Sequence, residues 1–201
     1  MLASGDNFCD NQAGSSWKKS VILYLHDLVY MLAAILLVFL LFFRVIVVSG
    51  DSMYSTLLDG DYILLLSNLF YQEPENGDIV VISKKAFDNG SPIVKRIIAT
   101  EGQTVDIQAG VVSVDGVPLM EDYINSPTYP YAGIGTKFPL TIEKNCVFVL
   151  GDNRGVSRDS RDSVIGQIDR REILGKAIFL MIPGTSHGDH DRDADRIGVI
   201  K

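Results

Sequence analysis

L-V-Y-M-L-A-A-I-L-L-V-F-L-L-F-F-R-V-I-V-V, residues 28–48, decides how the rest of the chain is read. No charge occurs from Leu28 to Phe43; Arg44 interrupts, and Val45–Val48 resume the apolar run. As a helix these 21 residues would rise about 31 Å, close to the roughly 30 Å hydrocarbon core of a bilayer. A soluble helix of that length would carry a polar stripe. A cleaved leader would have an apolar core of only about 7–15 residues, with small residues soon after it. The sequence predicts a retained transmembrane anchor over 28–48, with Arg44 reaching back to the interface.

Lys18 and Lys19 precede this run, and after Arg44 no lysine or arginine appears until Lys84. The positive-inside tendency then puts residues 1–27 in the cytoplasm as a short N-terminus and residues 49–201 outside. The net charge of −7 argues against nucleic acid, which needs clustered Lys and Arg. Cys9 and Cys146 lie on opposite sides of the apolar run, so no disulfide between them is expected, and no metal-binding cysteine spacing occurs.

Beyond the run the pattern is that of strands. Short apolar segments rich in Val and Ile recur at Tyr62–Leu66, Ile79–Ser83, Ile93–Ile98, Val111–Val114, Cys146–Leu150 and Ala177–Ile182, separated by Gly, Pro, Asn and Asp. Asp115-Gly116 supplies the positive φ values of a two-residue hairpin turn. No alternation of strands with long helices is present, so a doubly wound sheet is not expected. The fold class is mainly β, with one N-terminal transmembrane helix ahead of a β-rich domain over 49–182. Within it, about 104–144 is expected to form a smaller β insertion. Residues 183–201 read as a polar tail in which Ile197–Ile200 could pack back as a last strand.

Three places carry chemistry-bearing residues. Ser52, in G-D-S-M, stands four residues past the run; a serine there commonly only closes a turn. Lys95 and Arg96 sit side by side in the apolar P-I-V-K-R-I-I-A, on opposite faces of a strand. One of the two is expected to point to solvent. If Lys95 is the buried one, desolvation lowers its pKa toward about 8 and yields an amine able to take a serine proton. Arginine cannot serve in that way. The third place is G-D-N-R-G-V-S-R-D-S-R, Gly151–Arg161, where Ser157 and an Asp159–Arg161 pair could build a polar wall behind an amine.

Together these segments resemble the type I signal peptidase family. Ser49–Leu57 is similar to its nucleophile box S-G-x-S-M-x-P-T-L, Gly77–Val80 to its G-D-x-V box, Lys95–Gln103 to K-R-x-x-G-x-P-G-D, and Gly151–Arg161 to G-D-N-R-x-x-S-x-D-S-R. The resemblance implies an extracytoplasmic catalytic domain of signal-peptidase type on the cytoplasmic membrane. It implies Ser52 as nucleophile and Lys95 as general base, with Ser157 orienting Lys95 and Asp159 pairing with Arg161 to brace them. The Ser52 backbone N–H would be an oxyanion donor. Gly50 stands where some relatives place a second, serine donor, so any second donor would come from backbone. Val48, Met53, Leu57, Ile93 and Val94 fall where the family lines its pockets for small side chains. The implied substrates are signal-peptide-bearing preproteins, the implied surroundings a lipid bilayer, and no metal or other cofactor is implied. Ser55, Ala99, Glu101 and Gln103 depart from the family pattern.

Two other readings compete. A membrane-anchored β module could bind exported chains without cutting them. A G-D-S-L-type esterase would need a histidine with Asp three residues before it; none of His26, His187 and His190 has one. The histidine- and aspartate-rich stretch around His187–Asp191 is weak evidence for metal.

Overall fold

The computed structural model describes residues 10–133, 135–185 and 193–200. Two compact units are present, Met1–Leu41 and Phe42–Lys201. The first consists of the helix α1, Asp10–Phe42. Its apolar stretch Lys19–Phe42 reaches a mean hydropathy of 2.4 and contains no buried residue. At 1.5 Å per residue those 24 residues rise about 36 Å, enough to cross a bilayer.

The second unit is built from twelve strands: β1 (Phe43–Val47), β2 (Tyr62–Ser67), β3 (Ile79–Ile82), β4 (Ile93–Thr100), β5 (Thr104–Gln108), β6 (Val111–Val114), β7 (Val117–Pro118), β8 (Leu140–Thr141), β9 (Cys146–Leu150), β10 (Ile168–Asp169), β11 (Ile173–Ile182) and β12 (Gly198–Val199). The larger, antiparallel sheet runs β1-β2-β11-β3-β4-β9-β10, with β12 added on β11. A second sheet, β7-β6-β5-β8, is formed by strands between Thr104 and Thr141. Its hairpin turns at Asp115 and Gly116 with φ of 52° and 79°, the double positive φ of a primed turn.

The boundary of the anchor is the main correction. Phe43–Val47, expected as the end of the span, is an edge strand paired in register with β2 from Phe43↔Leu66 to Val47↔Tyr62. Arg44 lies opposite Leu65 in that ladder, in the strand and not in the helix, which ends at Phe42. The cause is the β-branched V-I-V-V, which is stiff at χ1 and suits a pleated surface better than a helix. Ile46 packs on the core and Val48 is fully buried there.

That core seats Val48, Met53 and Leu57 against Ile63, Val81 and Val94. A second cluster, around Phe148, Leu150, Ile98 and Val105, draws on both sheets. Strand β4 lies inside the larger sheet between β3 and β9 and is buried from Val94 to Ala99. The expectation that Lys95 or Arg96 would face solvent is therefore wrong: they are 2 % and 4 % exposed. Ile197–Ile200 does pack back, as β12 pairing Gly198 with Leu180 and Val199 with Phe179. Residues 186–192, with His187 and His190, lie outside the described residues, as does Cys9; Cys146 is a free thiol.

Candidate active site

Ser52 lies in a turn between β1 and β2 whose shape is fixed from several sides. Gly50 takes φ +83°, where a side chain would be strained. Met53 and Leu57 are sunk in the core at 0 % and 1 % exposure, and the Leu57 N–H closes a helical turn on the Met53 carbonyl at 2.9 Å. The loop after β9 holds the turn from the far side. The backbone N–H of Asn153 donates to the Ser52 carbonyl at 3.0 Å, and its side-chain Nδ2 donates to the Asp51 carbonyl at 3.0 Å.

The Lys95 Nζ is 2.8 Å from Ser52 Oγ and 2.9 Å from the Val94 carbonyl. Burial pushes its pKa down from 10.5 to about 8; Asp159 and Asp152 pull it up and Arg161 pushes it down, by smaller amounts. A neutral amine at that distance is placed to receive the hydroxyl proton.

Arg96, next to it, takes a different partner. Its guanidinium meets Asp152 with two hydrogen bonds of 2.9 and 2.8 Å, stacks over the Tyr123 ring at 4.0 Å, and donates to the Gly77 carbonyl at 3.0 Å. Asp152 also accepts from Thr56 Oγ1, four residues past Ser52. One buried carboxylate thus ties the Ser52 turn to β4 and to the loop after β9.

The wall behind Lys95 is the Gly151–Arg161 loop. Asp159 and Arg161 form a buried two-bond pair, both contacts 2.8 Å, and Asp159 also accepts from the Gly151 N–H at 3.1 Å. Arg161 donates further to the carbonyls of Arg154, Ser157 and Tyr129. Ser157 is 1 % exposed, yet its Oγ has no hydrogen-bond partner among the described residues, so the bond expected between Ser157 and Lys95 is not formed. A Cβ built on Gly151 would collide with the Ser157 side chain and with the Ser52 carbonyl, which is why this position holds glycine.

A cavity of about 190 Å³ opens beside Ser52, lined by Ile46, Val47, Val48, Ser49, Pro92, Ile93 and Val94. Of the five pocket residues expected from sequence, Val48, Ile93 and Val94 line it, whereas Met53 and Leu57 support it from the core. The Ser52 N–H donates to no group among the described residues, while the Gly50 N–H is engaged by Asp59 Oδ1 at 2.7 Å. Sequence reasoning passed over Asn153 and Asp152 as supports of the Ser52 turn; their place inside G-D-N-R was the available signal. The departures at Glu101 and Gln103 make their own bonds: Gln103 Oε1 accepts from the Thr100 N–H, and Glu101 from the Asn145 N–H.

Comparison with known proteins gives a consistent picture. The profile of the family described as "Signal peptidase, peptidase S26" matches residues 21–182. The Synechocystis sp. protein named "Probable signal peptidase I-1" is 34 % identical over 148 residues, covering 70 % of this chain and 72 % of its own length. Signal peptidase I of Bacillus amyloliquefaciens is 31 % identical over 173 residues, covering 83 % and 84 %. A solved signal peptidase I from Enterococcus faecalis V583 aligns with a TM-score of 0.41 at 26 % identity, covering 52 % of this chain and 97 % of that one.

Proposed function

The chain belongs to the signal peptidase family, peptidase S26, and we propose that it does this family's work with Ser52 as nucleophile and Lys95 as general base. The reaction is endoproteolytic removal of N-terminal signal peptides from exported preproteins. The observation that carries the assignment is the 2.8 Å contact between Ser52 Oγ and the Nζ of a lysine whose burial lowers its pKa to about 8.

Neutral Lys95 takes the Ser52 proton as Oγ attacks the scissile carbonyl carbon. The resulting oxyanion lies against the Ser52 N–H. Collapse breaks the C–N bond, the Lys95 ammonium returns the proton to the leaving amine, and an ester to Ser52 remains. Water, deprotonated by the same amine, then cleaves the ester and restores the hydroxyl. Once Oγ is esterified it is a poorer acceptor for Lys95, and the unpartnered Ser157 hydroxyl is the replacement we assign. Asp159 and Arg161 hold that serine's loop. Val48, Ile93 and Val94 offer an apolar cavity of about 190 Å³ suited to small side chains.

Family members are membrane-anchored, and Lys19–Phe42 is long and apolar enough to serve. We place the N-terminus in the cytoplasm and the catalytic unit outside, on the strength of Lys18 and Lys19. Ser52 follows Phe42 by only ten residues in the chain, so the anchor confines nucleophile and substrate to one membrane and raises their effective concentration.

The test is cleavage of a preprotein with an Ala-x-Ala site by purified protein in detergent. Wild type should cut after the small residue, Ser52→Ala and Lys95→Ala should not, and the His187→Ala/His190→Ala double variant should cut normally. Cleavage that survives in Ser52→Ala overturns the assignment. Folded wild type that binds preproteins without cutting them supports a non-catalytic module.

A further inference from the structure

The family match ends at residue 182, yet the chain beyond it returns to the nucleophile's neighbourhood. Asp61, 0 % exposed, is the point of return. Its carboxylate accepts two bonds from the Arg196 guanidinium, 3.0 and 2.7 Å, and one from the Gly184 N–H at 2.6 Å. Gly184 lies so close to Asp59–Asp61 that a Cβ there would overlap their backbone. Ile200 packs on the core that seats Val48, Met53 and Leu57, and its N–H donates to the Ile178 carbonyl.

What Asp61 holds is the back of the nucleophile segment. Its side chain accepts from the Leu58 N–H at 2.8 Å, its carbonyl accepts from the Val48 N–H at 2.8 Å, and the neighbouring Gly60 N–H donates to the Val48 carbonyl at 2.9 Å. Asp59 accepts from the Gly50 N–H. The path from Arg196 to Val48–Gly50 is thus continuous, through the buried Asp61 carboxylate, two backbone–backbone bonds with Val48 and the bond from Gly50 to the Asp59 carboxylate. Arg196 also donates to the Thr56 carbonyl at 3.4 Å.

We propose that Gly184 and residues 193–200 clip the nucleophile turn, with Arg196 a positioning residue that acts through Asp61 on Val48–Gly50. It touches neither substrate nor the reacting atoms. Its effect is to hold the cavity wall at Val48 and Ser49 in register with Ser52, and so it rests on Ser52 being the nucleophile. An exposed ion pair would contribute little, but here one partner is wholly buried, so removing the other leaves a carboxylate without its counter-charge.

The test uses the full chain with Arg196→Gln and Arg196→Lys, measured beside wild type and Ser52→Ala on the same preprotein. Arg196→Gln should lower kcat/KM about tenfold, with a raised KM, because small displacements of a positioned site are costly. Loss of folded protein alone would lower apparent kcat at unchanged KM. Arg196→Lys, which keeps the charge, should recover most of the loss. A folded Arg196→Gln with kcat/KM within about twofold of wild type overturns the clip, and so does a lower kcat at unchanged KM. Cleavage by Ser52→Ala would instead overturn the assignment of the nucleophile. Amide exchange on the unaltered protein gives a second measurement should the Gln variant not fold. The amides of Val48, Leu58 and Gly60 should open together with that of Ile200; exchange of Ile200 alone, with the others still protected, overturns the proposal.

Discussion

The role proposed for Lys95, a lysine neutral near physiological pH, requires that it be kept from water, and that requirement carries a cost in stability. Lys95 titrates near 8 in the folded chain against 10.5 when solvated. Between those values the unfolded chain binds more protons than the folded one, so stability rises with pH across that window and the full cost is present below it. The cost is about 3 kcal/mol. Lys95→Met should therefore raise the thermal midpoint at pH 7 by roughly 5–10 °C, with the gain shrinking between pH 8 and 10.5. Calorimetry across that range checks it, and an unchanged midpoint refutes it. In wild type, kcat/KM should climb with pH and level off above about 8, since only the neutral amine accepts the proton. Asn153 makes a separate prediction. Asn153→Ala keeps the N–H bond to the Ser52 carbonyl and loses only the bond to Asp51, so kcat should fall about tenfold with stability changed by about 1 kcal/mol. The pair Lys95 and Arg96 shows where residue-level reading stops: the pKa of the lysine was legible, but the burial of the arginine was not. Its partner Asp152 is 56 residues away, and its cover, Tyr123, belongs to another segment.

At the scale of elements, strands with a clear period or an unbroken Val/Ile run were legible nearly to the residue. Val111–Val114 and Cys146–Leu150 have the boundaries read from sequence. β1 was not, because an apolar run directly continuous with a membrane-length helix has no polar mark where one conformation gives way to the other. Short partners such as β8 and β10, two residues each, exist only because a longer strand accepts them. The junction after β9 carries the sharpest mutational expectation. Gly151→Ala would drive a methyl into both the Ser157 side chain and the Ser52 carbonyl. Cleavage should be lost, and Ser157→Gly should not restore it, because the collision with backbone remains. Recovery in the double variant, measured as kcat, would show that the side chain alone made the glycine necessary.

For the molecule as a whole, the order of the four sequence boxes was legible, whereas the closing contacts were not. Arg196 and Asp61 are 135 residues apart, and no local pattern links them. The compact unit Phe42–Lys201 predicts that a chain lacking residues 1–41 folds on its own, while one lacking 1–48 loses an edge strand and Val48 from the core. The shorter deletion should melt cooperatively and the longer one at a markedly lower temperature; equal midpoints would mean that β1 contributes nothing. The bond between Asn153 and Asp51 has a further consequence, in time. A chain made from its N-terminus outward contains Ser52 and Lys95 long before it contains the residues that set the turn and wall them in. On the proposed roles of Ser52 and Lys95, the growing polypeptide is an unarmed protease that becomes competent only when synthesis has passed the loop after β9.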